Sequence, residues 1–181
     1  MMRSRQRGLT LIELIVFIIV ISIAVVAVLQ VIGQNTARSA DPIRRKQAMA
    51  IAEGLLDEVR SAAFTFCDPA DPNAQFATSA AQCATTPEGL GPEKDNARPF
   101  DNVSDYGAAN GAPVVYATDL AGTNFPAGYA ATVTVTQAGN LGPGSAMVPA
   151  TDALRIVVTV TYGNESVTLE SYRTRFAPNN F

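Results

Sequence analysis

A long apolar stretch near the amino terminus limits what this chain can become. Residues 9–33 read LTLIELIVFIIVISIAVVAVLQVIG, and from Leu14 to Leu29 only Ser22 interrupts the apolar run. A helix of roughly 20 such residues spans the hydrocarbon core of a bilayer. The stretch follows the basic segment MMRSRQR, and the positive-inside rule places that end in the cytoplasm. The sequence therefore predicts one membrane-spanning helix.

The apolar stretch contains one carboxylate, Glu13, near its start. A charge in hydrocarbon costs at least ~2.5 kcal/mol, so such a residue persists only with a partner or a function. A secretory signal peptide has an apolar core of about 7 to 15 residues followed by a small-residue cleavage site. The run here is longer, and Gly33-Gln34-Asn35 is a poor site. Two interpretations remain: a plain single-span anchor, or a chain that is cut before the run, between Gly8 and Leu9.

The segment RGLTLIE, followed by the apolar run, resembles the class III signal of type IV prepilins and type II secretion pseudopilins. The resemblance implies that prepilin peptidase cleaves after Gly8, that the new terminus at Leu9 is methylated, and that Glu13 is needed for assembly. Leu9 departs from the phenylalanine usual at the first mature position. In a bundle of apolar helices, Glu13 of one subunit would neutralise the amino group of a neighbour's Leu9, because an unpaired charge is costly there.

Other segments resemble a narrower group, the minor pilins of the mannose-sensitive haemagglutinin (MSHA) pilus. They are SADPIRRKQAMAIAEGLLDEV at residues 39–59, FCDP at 66–69 and FDNVSDY at 100–106. The resemblance implies a subunit held in the inner membrane, with a cytoplasmic amino terminus and a periplasmic head, that then joins an extracellular pilus with other pilins. A minor pseudopilin of a type II secretion system is an alternative. A pilus-displayed adhesin for a surface or glycan ligand is another.

Composition excludes several other functions. The chain contains no His and no Trp, and it has no Gly-rich phosphate loop and no nucleophile elbow. We therefore expect no enzyme and no cofactor. From Cys67 onward, five basic residues face eleven acidic ones, a balance of −6. An acidic head repels phosphate backbones, so we expect no nucleic-acid partner.

The sequence divides into four parts: a cleaved leader at 1–8, a membrane and assembly helix at 9–33, an amphipathic stalk helix at 34–64, and a head at 65–181. Proline disfavours a continuous helix, so we expect a kink or brief break at Asp41-Pro42. The stalk has one apolar face at helical spacing. This face comprises Ile51, Ala52, Leu55, Leu56, Val59 and Ala63.

The second half of the head reads as strands. Residues 113–118 are a short apolar run, and residues 129–136 alternate between apolar and small or polar side chains. The dipeptide Gly163-Asn164 predicts a two-residue hairpin turn. Its register pairs Tyr162 with Glu165, Val160 with Val167 and Val158 with Leu169. The prediction is an α+β, type IV pilin-like fold: a long amino-terminal helix packed on an antiparallel sheet of three or four strands.

An irregular connection, residues 65–113, contains both cysteines and many acids. Cys67 and Cys83 are the only cysteines, and a location outside the cytoplasm favours a disulfide between them. No EF-hand pattern is present, so we interpret the acids as solvated, with a calcium site as the alternative. These acids are Asp68, Asp71, Glu88, Glu93, Asp95, Asp101 and Asp105. The aromatic residues Tyr106, Tyr116, Phe125 and Tyr129 are expected in the core rather than in an adhesive pocket.

Overall fold

The computed structural model describes residues 10–93, 97–139, 141–176 and 179, and for residues 33–41 it describes the backbone only. The chain forms two compact units, residues 1–44 and 45–181, which are described separately. One α-helix, α1 (Leu11–Ser61), runs through both units. Four strands follow in the second unit: β1 (Val114–Tyr116), β2 (Tyr129–Gln137), β3 (Ala153–Tyr162) and β4 (Glu165–Thr174). The fold is α+β with a pilin-like arrangement, as the sequence predicted.

The four strands form one antiparallel sheet in the order β1-β2-β3-β4. The predicted hairpin register is confirmed, because Tyr162 pairs with Glu165 and Val158 pairs with Leu169. Gly163 has a φ of 58°, a left-handed conformation that glycine adopts at little cost and that this turn requires. Alternation in β2 is confirmed as well, with Ala131, Val133 and Val135 fully buried.

The core lies between one face of the sheet and the second part of α1. Ala52, Leu55 and Val59 of the predicted stripe are buried, and Ile51 and Leu56 are partly buried against the same cluster. From the sheet, Val133, Ile156, Val158 and Val160 complete it. Burying a side chain of this size contributes about 1.5–3 kcal/mol. The amphipathic pattern of α1 therefore positions the head.

The helix differs from the sequence expectation at two places. Of the kink or brief break expected at Asp41-Pro42, the break is not present, because α1 is helical through Pro42. Proline removes its own N–H donor and crowds the carbonyl four residues earlier, but the flanking hydrogen bonds of a long helix can persist around it. The helix also ends at Ser61 instead of residue 64, where the Ser61 hydroxyl donates to the Glu58 carbonyl.

Candidate assembly site and head contacts

The amino-terminal part of α1 presents an apolar surface on every side. Leu11–Ile32 is 22 residues long with a mean hydropathy of 3.2, enough to cross a membrane by length and composition. All its side chains are exposed in the isolated chain. The hydroxyl of Ser22 donates to the carbonyl of Ile18 at 2.7 Å, so its hydrogen bond is made within the helix. This segment needs an apolar environment from outside the chain.

Glu13 lies in the first turn of α1, at the start of that surface. Its N–H donates to the Thr10 carbonyl at 3.1 Å, and its side chain is exposed. A carboxylate is favourable at a helix amino terminus, where the backbone N–H groups carry partial positive charge. Gly8 and Leu9 lie outside the described residues. Cleavage at Gly8, methylation of Leu9 and an assembly role for Glu13 therefore stay predictions.

The disulfide expected from the sequence is supported by the structure. Cys67 and Cys83 are bonded, with Cα atoms 5.5 Å apart. Cys67 is fully buried and forms a small separate cluster with Ala74 and Ala77. The bond closes the loop that follows α1 into a compact subregion of the head.

Asp71 organises the interior of this disulfide loop. Its carboxylate accepts four backbone hydrogen bonds of 2.6–3.0 Å, and it also accepts the Thr85 hydroxyl at 2.9 Å. The four N–H donors belong to Asn73, Ala84, Thr85 and Thr86. Burial opposes ionisation, but these donors together hold the pKa of Asp71 well below its usual range. The interpretation of Asp71 as a solvated acid was wrong, because only 5% of its surface is exposed.

A second group of acids also departs from the solvated interpretation. Asp68, Glu88 and Glu93 hold carboxylate oxygens within 4.8 Å of one another, a spacing at which they could bind a metal ion. Asp105, 1% exposed, accepts the N–H of Asn102 at 3.3 Å. Burial, reinforced by neighbouring acids, raises the pKa of Glu88 to about 8 and that of Asp105 to about 9. Burial of these two acids thus favours their protonated forms. Asp95 lies outside the described residues.

A buried ion pair fixes the long loop to α1. Glu58 accepts from Arg98 Nε at 2.6 Å, and a second contact joins its other oxygen to Arg98 Nη2. The Tyr106 hydroxyl donates to Glu58 at 3.0 Å, and Arg98 Nη1 donates to the Thr118 carbonyl at 2.7 Å. The hydrogen bond to Glu58 raises the pKa of Arg98. Glu58 was not predicted as a buried residue, since the apolar spacing of α1 does not reveal a buried acid.

A half-open groove lies above this ion pair. It encloses about 620 Å³ between α1 and the turn at residues 119–126, and Ile51, Gly54 and Leu55 line it. Phe125, which is partly buried, lies on the opposite wall, and nothing within 4 Å would meet a Cβ at Gly54. The groove is mainly apolar, and Gly54 leaves space in its α1 wall.

The aromatic residues lie where the sequence predicted. Tyr106 and Tyr116 are buried, and their rings lie 6.2 Å apart. The Tyr116 hydroxyl donates to the Tyr106 carbonyl at 2.9 Å. Phe125 and Tyr129 are partly buried against the same core. These side chains stabilise the head, and only Phe125 also borders the groove.

Comparison with known proteins adds one finding at the amino terminus. The family model described as "Prokaryotic N-terminal methylation motif" matches residues 3–29. No curated protein and no solved structure matches the chain. The motif covers the basic leader, Glu13 and most of the apolar part of α1. It supports the class of type IV pilin-like prepilin-peptidase substrates and points to a structural subunit.

Proposed function

We propose that this chain is a minor pilin of a type IV pilus, of the type found in the MSHA pilus. Prepilin peptidase cleaves it after Gly8 and methylates Leu9. The subunit is held in the inner membrane with its head in the periplasm, and then joins an extracellular fibre. Residues 9–33 anchor and assemble it, residues 34–64 form the stalk, and residues 65–181 form the head.

The methylation motif, continuous with a fully exposed apolar helix, carries this proposal. The motif at residues 3–29 accounts for the basic leader and for Glu13 together, which a plain anchor does not. The exposed segment Leu11–Ile32 fits a bilayer before assembly and a bundle of similar helices afterwards. Both environments are apolar, so the same surface serves both stages.

Charge pairing supplies the proposed register between subunits. Cleavage after Gly8 creates an amino group on Leu9. The carboxylate of Glu13 from an adjacent subunit would lie at a similar level along the axis of the helix bundle. In a medium of low dielectric constant, each charge is costly alone and much less costly when paired. The pair therefore selects one axial offset between neighbouring helices.

A minor pseudopilin of a type II secretion system is the alternative within this class, because it would share every amino-terminal feature. We favour the pilus because of the resemblance at residues 100–106. In the structure this segment connects to the end of the stalk: the Val103 N–H donates to the Ala63 carbonyl, and the Ala63 N–H donates to the Asp101 carbonyl, both at 2.9 Å. It is thus a structural part of the head.

A displayed adhesin is a second candidate function, favoured by the groove between α1 and residues 119–126. Its volume of about 620 Å³ lies in the range of small-ligand sites. The lining is mainly apolar but also includes Glu58, Arg98, Asp119, Thr123 and Asn124, so polar and apolar groups of one ligand could both be contacted there. Attachment through this groove would add to fibre assembly without replacing it.

Two variants test the proposed function in cells that assemble the pilus. We expect mass spectrometry of the wild-type chain to show a methylated amino terminus at Leu9. Glu13→Gln should be processed and inserted normally but should be recovered in sheared fibres at least about tenfold less, because it removes the charge that pairs with the amine. Glu53→Gln, an exposed acid of the stalk, is the matched control.

The outcomes separate the steps. An intact segment 1–8 in the mature protein would overturn processing, and with it the proposed class. Normal processing with wild-type recovery of Glu13→Gln in fibres would keep the class but refute the charge pair. Release of the chain in secretion pseudopili, and not in pili, would favour the alternative.

A further inference from the structure

The outer edge of β4 ends the sheet that the described residues form. Within the described part of the chain, β4 pairs with β3 on one side and ends the sheet on the other. Proteins protect edge strands with short length, proline, bulges or charged side chains, lysine above all, because unpaired N–H and C=O groups bind other strands. The opposite edge, β1, has only three residues. Strand β4 has ten, contains neither proline nor lysine, and pairs with β3 without a bulge.

The outward backbone groups of β4 belong to its even-numbered residues. The two-residue turn at 163–164 makes Tyr162 and Glu165 a hydrogen-bonded pair, so the odd-numbered residues of β4 bond to β3. The Arg175 N–H continues this alternation by donating to the Asp152 carbonyl at 2.9 Å. The outward residues are all exposed: Ser166, Thr168, Glu170 and Tyr172. Such a row of alternating donors and acceptors fits an extended polypeptide strand.

The charges on β4 indicate which strand could pair with its outer edge. Arg173 lies at one end of the face that points toward α1, and its Nε is buried with no hydrogen-bond partner among the described residues. Glu165 lies at the other end of the same face and is exposed. An antiparallel copy of β4 brings these opposite charges together twice. We propose that β4 is a homotypic docking edge that pairs with β4 of a second copy of this chain, centred on Leu169.

The centred register is the one that the side chains favour. Leu169 faces Leu169 of the second copy, Val167 faces Ser171, and Glu165 faces Arg173 on both sides of the axis. If the centre of the pairing moved from Leu169 to the next residue, Glu170 would lie opposite Glu170 of the second copy, and the two like charges would repel each other. The four outward residues form four hydrogen-bonded pairs with about eight backbone hydrogen bonds. The result is a continuous eight-stranded sheet.

The symmetry of this contact determines where it can occur. A two-fold axis perpendicular to the sheet makes the interface isologous. It also reverses the stalk part of α1 in the second copy, because residues 45–61 pack along the sheet. Neighbours in one polar fibre have the same direction, so the contact joins copies from two fibres or two cells. The pairing itself rests on β4, and only its placement between two fibres or two cells rests on the proposed function.

Charge reversal on the full chain in detergent tests the contact, with mass measured by light scattering over a range of concentrations. We expect a dimer whose Kd rises about tenfold in Glu165→Arg and in Arg173→Glu, since each places like charges opposite each other at two positions. The double variant E165R/R173E should restore the wild-type Kd. Asp57→Arg, at an exposed site on α1, is the control and should not change it.

Cysteine cross-linking tests the register independently of charge. Leu169→Cys places two thiols opposite each other across the axis and should give a disulfide-linked dimer under mild oxidation. Ser171→Cys, two residues along the same face, should not, because its counterpart lies opposite Val167. A monomer at all concentrations, a dimer insensitive to the charge reversals, or equal cross-linking at both positions would overturn the proposal.

Discussion

Asp105 and Glu88 show how far burial can raise the pKa of a single carboxyl group. Their sequence neighbours predict ordinary surface acids, yet Asp105 is 1% exposed and lies in a buried turn that also contains Val103 and Tyr106. The Ser104 hydroxyl donates to Glu88 at 3.3 Å. Burial and nearby acids raise the pKa of both groups, to about 9 and about 8. In the unfolded chain both pKa values would return to the usual range near 4.

This difference predicts a dependence of stability on pH. Between pH 4 and 8 the folded state binds more protons than the unfolded state, so the free energy of unfolding falls as pH rises. It should be largest near pH 4–5 and smaller by on the order of 1–2 kcal/mol at pH 8, after allowance for solvent screening. Below pH 4 it should fall again, because the pKa of Asp71 is lowered. Thermal melts of the full chain in detergent, followed by near-ultraviolet circular dichroism, measure this.

Replacing Asp105 by an amide tests whether its raised pKa causes this pH dependence of stability. Asp105→Asn keeps an acceptor for the Asn102 N–H and stays neutral at every pH, so it should flatten the decline between pH 5 and 8. Asp57→Asn, on the exposed face of α1, should leave the wild-type profile unchanged. A wild-type free energy of unfolding that rises toward pH 8 would contradict the assignment of protonated acids.

At the scale of elements, the strands were predictable and the connections were not. The β3–β4 register follows from local information, because a two-residue turn fixes which residues face each other and alternation fixes the buried side. Glu58 could not be identified in this way, since its partner Arg98 lies 40 residues away. Asp71 likewise gains its donors from Ala84, Thr85 and Thr86, across the disulfide loop. Only the folded chain brings these groups together.

The disulfide loop gives the element-scale prediction. A double Cys67→Ser, Cys83→Ser variant should lose up to ~3 kcal/mol in the free energy of unfolding, because the bond closes a loop of sequence separation 16. Limited proteolysis should then cut within residues 68–82 first, with the sheet still intact. Asp71→Asn serves as the comparison, because it weakens the same loop without opening the bond.

Proteolysis that attacks the sheet as early as the loop would contradict this picture of a separate subregion. A double serine variant that melts at the wild-type temperature would show that the hydrogen bonds of Asp71 alone hold the loop. Either result is read directly from fragment masses and melting curves.

At the scale of the whole molecule, the two units differ in where their apolar side chains are buried. The head has its own core, with Val133, Ile156 and Val158 fully buried. The apolar part of α1 buries none of its membrane-length window within the chain. The sequence predicted this division because hydropathy changes sharply along α1. It could not predict the groove or the open edge of β4, which depend on how distant segments pack.

The hydrogen bond from the Ser22 hydroxyl to the Ile18 carbonyl has a consequence for how such helices would align with one another. From Leu14 to Leu29 every side chain is either hydrocarbon or, at Ser22, already satisfied by its own backbone. Under the proposed function, residues 14–29 would offer a neighbouring helix no polar group that fixes how far one helix is displaced along the other. Glu13, near the amino-terminal end of the segment, would then be the charged side chain that sets this displacement.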